Sequence, residues 1–169
     1  MISYFKKHKF FYGYLKRFTL IHLLTYLVCG VIFMNLMGYQ KEFLNNENFA
    51  RFRSLDSPIV QASVLFQFLR GVMFAIILYP FREKITKSKF GWLMLFGVLW
   101  GMTCLGAVNA TSGSIEGLIY TDVSLKAHLI GMPEVITQAA GFSVLFWLWE
   151  RRATKKRELA EKMAKEKNI

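Results

Sequence analysis

Long apolar stretches alternate with short basic stretches along this chain. Four of the apolar stretches are about twenty residues long, and they cover residues 18–37, 58–80, 91–110 and 129–149. Twenty residues of α-helix are about 30 Å long, which is the thickness of the hydrocarbon core of a bilayer. Helices of soluble proteins are rarely apolar over such a length. The pattern therefore predicts an all-α polytopic membrane protein whose four transmembrane helices form a bundle.

The first apolar stretch follows a basic segment, as the core of a signal peptide does. It is longer than such a core, however, and no pattern of small residues typical of a cleavage site follows it. We therefore expect the first stretch to be a retained transmembrane helix.

The basic residues predict the orientation. The chain is 54% hydrophobic and carries a net charge of +11, and seventeen of its Lys and Arg residues lie in residues 1–17, in the loop 81–90 and after Trp149. Only four lie in the two alternate loops. Because Lys and Arg are enriched on the cytoplasmic side of a membrane, both termini are predicted to be cytoplasmic. The expected location is the plasma (inner) membrane.

Three regions follow from these boundaries. Residues 1–17 form a basic, aromatic segment that is cytoplasmic or interfacial, residues 18–150 form the four-helix transmembrane domain, and residues 151–169 form a basic tail that extends the fourth helix. Basic residues beside aromatic ones also occur where proteins bind nucleic acid, but attraction to anionic lipid is the simpler explanation. The predicted partner is thus the lipid bilayer and not nucleic acid, and a docking role for the tail stays open.

Two charged residues lie within the predicted spans, Arg70 in the second and Glu134 in the fourth. A cation in the middle of a bilayer costs at least about 2.5 kcal/mol on insertion scales, so a compensating partner is expected. The pair is either a site for a substrate, ion or proton, or a structural pair that fixes helix packing. Glu134 has a further explanation, since an acid in the first turn after Pro133 is favoured by the helix dipole.

Other polar residues align with these two charges at helical spacing. Polar side chains are expected to point away from lipid and into the bundle. The predicted intramembrane polar site consists of Arg70, Gln67, Glu134, Gln138, Ser63 and His22.

The loop 111–131 is too apolar for a freely solvated linker. We expect it to fold back as a short helix capped by Ser112 or Ser114, and to place Glu116, Asp122 and His128 at the outer mouth of the bundle. With Glu134 these residues could bind a cation, although their spacing matches no metal motif and ordinary loop packing is the default. The other outer loop, 40–57, is expected to contain an interfacial helix.

The third stretch contains the small residues Gly97, Gly101 and Cys104 at the spacing that lets two helices approach closely. This motif predicts a tight helix contact, either within one protomer or between subunits. The chain has no C-x-x-C pair, no paired-histidine pattern and no nucleotide-binding glycine motif. We therefore predict no catalytic residue, no metal and no cofactor.

The leading hypothesis is a small channel- or transporter-like protein with a polar site centred on Arg70. A homo-oligomer is expected, because four helices alone rarely enclose a transport path. The alternative is a non-catalytic membrane subunit that anchors or assembles a larger complex. A third hypothesis is a membrane enzyme that acts on a lipid or a quinone.

Overall fold

The computed structural model describes residues 2–37, 53, 57–108 and 111–166, and these residues form helices and turns with no strand among them. The elements in chain order are α1 (Ile2–Leu36), α2 (Pro58–Gln61), α3 (Ser63–Leu78), a 3₁₀ turn (Tyr79–Phe81), α4 (Arg82–Lys87), α5 (Gly91–Phe96), a π-helical segment (Gly97–Leu105), α6 (Ile115–Tyr120), α7 (Leu125–Leu129) and α8 (Met132–Glu166). The predicted all-α class is confirmed.

Three helical stretches are long and apolar enough to cross a membrane: Phe10–Leu36, Ser63–Lys87 and Leu125–Glu166. They support a membrane protein by length and composition. The remaining apolar stretch, Gly91–Leu105, is shorter. Fifteen residues at about 1.5 Å per residue reach about 22 Å, which is less than the hydrocarbon thickness. The fourth crossing, and with it the orientation, stays a prediction.

Several helix boundaries differ from the sequence-based expectation. The second stretch does not end at Pro80, because this proline lies in the 3₁₀ turn that leads directly into α4. A proline near the start of a helix removes no hydrogen bond that the helix needs, so the chain stays helical as far as Lys87. The basic segment 1–17 is helical from Ile2 and continuous with α1.

The outer loops and the tail were also predicted from the sequence. The interfacial helix expected in residues 40–57 lies almost entirely outside the described residues. The short helix expected in the second outer loop is present as α6, and Ser114 caps it. In the tail, α8 runs unbroken as far as Glu166.

Together with α8, helix α1 lies in the middle of the bundle. It packs against α3 on one side and against α8 on the other, while α5 packs against α8. Helices α1 and α3 approach each other closely at Gly71 of α3, which lies against Thr19 and His22 of α1. A Cβ atom on this glycine would lie 3.0 Å from the His22 ring. The order of packing is therefore α3, α1, α8 and α5, with neighbouring helices antiparallel.

The most tightly packed part of the bundle is an aromatic core. The ring centroid of Phe18 lies 4.7 Å from that of Phe142 and 4.9 Å from that of Phe146, and Tyr14 lies 5.2 Å from Tyr79 in an edge-to-face arrangement. Such pairs are attractive beyond their packing area. The core joins α1, α8 and the end of α3, and it lies toward the end of the bundle that contains the α3–α4 turn.

Close packing also occurs where α5 begins. A Cβ atom on Gly91 would overlap the carbonyl oxygen of Ile85 and lie 2.8 Å from Nε1 of Trp147. The same Nε1 donates a hydrogen bond to the carbonyl oxygen of Ser88, at 3.3 Å. A side chain at Gly91 would thus displace both the backbone of α4 and the indole of α8.

We expect Gly91→Ala to destabilise the bundle. Overpacking costs about 1–3 kcal/mol, which corresponds to about 2–12 °C in melting temperature for a chain of this size. Thermal unfolding of the purified protein in detergent measures it. The matched control is Gly141→Ala in α8, where an added Cβ atom meets no atom within 4 Å. Equal melting temperatures for the two variants would contradict the packing described at α5.

Candidate functional site

A buried carboxylate with two arginine partners lies at one end of the bundle, and we call this end the arginine end. Glu150 of α8 is completely buried. Its Oε2 accepts a hydrogen bond from Nε of Arg17 at 2.7 Å, and its Oε1 accepts one from Nε of Arg82 at 2.8 Å. One carboxylate therefore connects α1, α4 and α8.

The second arginine of this cluster has further partners. Nη2 of Arg82 donates a hydrogen bond to Oγ1 of Thr154 at 2.8 Å. Its guanidinium also lies over the ring of Phe10, at 4.0 Å from the centroid, and Arg157 lies 4.5 Å from the same ring. A guanidinium over an aromatic face is stabilised electrostatically by the ring. The arginine end is thus held together by charge and by stacking.

This cluster makes the relative position of the three helices specific. A buried charge that loses its ion-pair partner is strongly destabilising. The helix arrangement that keeps the three side chains in contact is therefore strongly favoured. Two guanidiniums share one carboxylate, and Nη2 of Arg17 is buried without a hydrogen-bond partner in the described part of the chain. The cluster therefore carries a net positive charge at the end of the bundle.

Sequence reasoning missed this cluster. Arg17, Arg82 and Glu150 all lie at or just beyond the ends of predicted spans, and the arginines were counted only as orientation signals. The available signal was the single acid directly after Trp149 in an otherwise basic region. Because neighbouring helices are antiparallel, an acid at the end of the fourth predicted span lies at the same depth as Arg17 and Arg82.

A cavity occupies the other half of the bundle, which we call the loop end. It consists of two adjoining spaces of about 200 and 470 Å³. The two spaces share six of their lining residues and therefore form one continuous cavity. The shared residues are Tyr26, Arg70, Thr103, Cys104, Val135 and Gln138. These residues come from α1, α3, the π-helical segment and α8. Phe18 and Phe142 of the aromatic core line its inner part, and residues of the loop 111–131 line its outer part.

The two predicted intramembrane charges both line this cavity. Arg70 lies over the ring of Phe74, 5.2 Å from its centroid. Glu134 lies near α1, where a Cβ atom on Gly30 would be 3.9 Å from its Oε1. The ion pairs formed by the described residues do not include one between Arg70 and Glu134. The cavity wall thus contains one cation and one carboxylate that are not in contact with each other.

The other predicted polar residues of the spans are arranged around this cavity. Nε2 of His22 lies 3.3 Å from Oε1 of Gln67, which links α1 to α3. His22 and Gln138 line the cavity wall, whereas Gln67 and Ser63 do not. Of the six residues proposed from the sequence, four therefore face one space: Arg70, Glu134, Gln138 and His22.

The loop end of the cavity is shaped by two short capped helices. Oγ of Ser114 accepts a hydrogen bond from the backbone N–H of Gly117 and starts α6, and Ser124 caps α7 in the same way. His128 of α7 lines the cavity and is 4% exposed, and its Nδ1 accepts a hydrogen bond from the backbone N–H of Gly113 at 3.0 Å. A positive φ of 88° at Gly113 brings the two together.

The acidic residues of this loop are placed differently. Glu116 lies in the first turn of α6, and Asp122 lies exposed between α6 and α7; neither lines the cavity. Within residues 2–37, 53, 57–108 and 111–166, no three His, Cys, Asp or Glu side chains are grouped as metal ligands. The cation site considered for this loop therefore has no support in its geometry.

The small-residue motif of the third stretch lies in the π-helical segment. Gly106 donates its N–H to the carbonyl oxygen of Gly101, and Thr103 and Cys104 both donate to that of Leu99. A Cβ atom on Gly97 or Gly101 would meet no atom within 4 Å. The motif thus makes no close contact with the described helices of its own protomer, and a contact between subunits stays a prediction.

Comparisons with known proteins give no relative. The chain matches no protein-family model, no curated protein and no solved structure. The function is therefore inferred from the cavity and its charges alone.

We expect Glu150→Gln to destabilise the arginine end, because the neutral amide leaves two buried guanidiniums without a countercharge. Breaking a buried ion pair in this way costs about 3–5 kcal/mol. Thermal unfolding in detergent measures the loss. Glu158→Gln, on the exposed tail of α8, is the matched control and should melt like the unaltered protein. If the two variants melt together, Glu150 does not hold the helices.

Proposed function

We propose that the protein is a small transport protein, channel- or transporter-like, and that its solute binds in the cavity around Arg70. The observation that carries this proposal is the cavity that extends from the aromatic core to the loop end, with a few polar and charged side chains in a mainly apolar wall. Five helical segments contribute to its wall, namely α1, α3, the π-helical segment, α7 and α8. Cavities of several hundred cubic ångströms with a few placed polar groups are typical of small-molecule sites.

The charges on the cavity wall support a solute site more than a structural pair. A charged residue within a span is costly, and such residues usually face a water-filled cavity or a substrate path. Arg70 and Glu134 line the same space without forming an ion pair with each other. A purely structural pair would be expected to be in contact, because the attraction is largest at short range.

The two ends of the bundle differ in a way that suits transport. At the loop end, the cavity is bounded by short helices and turns of the segment 111–131. At the arginine end, the aromatic core and the ion pairs of Glu150 hold the helices together. In the predicted orientation the cavity faces the outside of the cell. Self-association through Gly97 and Gly101 would complete a path that one protomer does not enclose.

A second candidate function is supported by the tail of α8. From Arg151 to Glu166 this helix extends beyond the apolar part, and its last ten residues are all exposed. Leu159 and Met163, one turn apart, are exposed by 60% and 52%. A charged helix with an apolar pair on its surface is suited to docking a partner protein, as a subunit that anchors a larger complex would require.

For the transport proposal, we expect proteoliposomes to take up at least one of four radiolabelled probes, acetate, glycine, glycerol and choline, faster than protein-free liposomes. Arg70→Gln should slow that uptake about tenfold or more, since a hydrogen bond to a charged group contributes about 1.5–3 kcal/mol. Arg152→Gln on the exposed tail is the matched control. Uptake that equals the protein-free rate for all four probes would count against transport.

For the anchoring candidate, we expect deletion of residues 158–169 to remove the proteins that co-purify with the full chain from native membranes. This deletion keeps Thr154 and Arg157, so the contacts at the arginine end remain. Quantitative mass spectrometry of both purifications measures the loss. An unchanged set of co-purifying proteins would exclude the tail as a docking helix.

A further inference from the structure

The charges on the cavity wall restrict the class of solute. Among the described residues that line it, the wall contains one arginine and one carboxylate, Arg70 and Glu134. They come from α3 and α8 and form no ion pair with each other. The wall thus contains one charged side chain of each sign, on different helices.

A ligand with a single charge is attracted by only one of these two charged side chains. In a low-dielectric site, an anion bound at Arg70 would be repelled by Glu134, and a cation bound at Glu134 would be repelled by Arg70. A ligand with both charges is attracted at both ends, and its complex adds no net charge to the membrane interior. Electrostatics therefore favours a small zwitterion over an anion or a cation.

His128 provides a second and independent observation. Because its Nδ1 accepts a hydrogen bond from Gly113, the neutral ring has its proton on Nε2. That Nε2 is buried and has no hydrogen-bond partner among the described residues. Buried polar groups are nearly always paired, so an unpaired donor in the wall of a cavity points to a ligand acceptor. A carboxylate oxygen is such an acceptor.

The inner part of the cavity gives room for an apolar group. Phe18, Phe74 and Phe142 line it there. The ammonium and carboxylate of an amino acid lie on one carbon, and its side chain points away from both. Charged groups on the outer wall and aromatic rings on the inner wall match that arrangement.

We propose that the cavity binds a small zwitterion of the amino-acid class. The carboxylate lies on Arg70 and Nε2 of His128, and the ammonium lies on Glu134. A carboxylate side chain accepts several hydrogen bonds, so contacts that Glu134 makes within the protein do not prevent it from accepting one from a ligand. The inference rests on the proposed transport function and specifies its substrate class.

Equilibrium binding to the purified full chain tests the inference. The probes are glycine, alanine and leucine, with acetate and methylamine as single-charge analogues and glycerol as a neutral one. We expect at least one amino acid to bind about tenfold more tightly than acetate, methylamine or glycerol, because each lost charged contact weakens binding by about that factor. This comparison uses the unaltered protein and does not depend on the folding of a variant.

Two variants then separate the roles of the charges. Arg70→Gln should weaken amino-acid binding about tenfold and make methylamine the preferred ligand, since only the carboxylate of Glu134 remains. Glu134→Gln should shift the preference to acetate. A general loss of structure would weaken all the ligands together and would not exchange their order. Arg152→Gln and Glu166→Gln, both on the exposed tail, should leave the binding unchanged.

The outcomes distinguish this inference from the transport function itself. Binding of acetate, methylamine or glycerol as tight as that of every amino acid would overturn the zwitterion class. If uptake of such a solute still depended on Arg70, the transport function would stand. Absence of amino-acid binding would also overturn the inference, whereas amino-acid binding without uptake of any probe would overturn the transport function and leave the zwitterion site.

Discussion

The buried carboxylate of Glu150 is the interaction on which the bundle depends. It is shared by Arg17 and Arg82, so α1, α4 and α8 cannot move apart without breaking a buried ion pair. Apolar packing gives less orientational specificity in a membrane, where lipid chains and apolar side chains are chemically alike. Directional ion pairs therefore fix a helix arrangement that apolar packing alone would leave loosely determined.

The position of these ion pairs explains why the two ends of the bundle differ. Next to them, Tyr14, Phe18 and Phe146 pack closely against one another. Beyond this core, α3 and the π-helical segment have their main contacts with different neighbours, α1 and α8. The cavity forms where these two elements diverge. Tight packing at one end and separation at the other are thus two results of the same arrangement of helices.

The sequence predicted the helical class and the two charged residues that line the cavity, because both depend on local pattern. Apolar runs of bilayer length indicate helices, and the cost of a charge in lipid indicates that Arg70 and Glu134 face inward. The cluster at Glu150 was not predicted, because it depends on which span ends meet in space. The continuation of α3 into α4 is not evident from the sequence for a different reason, since a proline such as Pro80 is typical of a helix end but is also compatible with the start of a new turn.

The π-helical segment Gly97–Leu105 has a consequence for the shape of the cavity. Each backbone hydrogen bond of a π-helix joins residues five apart, compared with four apart in an α-helix. The hydrogen bond from the N–H of Gly106 to the carbonyl oxygen of Gly101 is an example. Rewinding these bonds to the α-helical register would turn Thr103 and Cys104 about the helix axis, while α5 stayed fixed against α8. The part of the cavity wall that this segment forms would then present different side chains to the cavity.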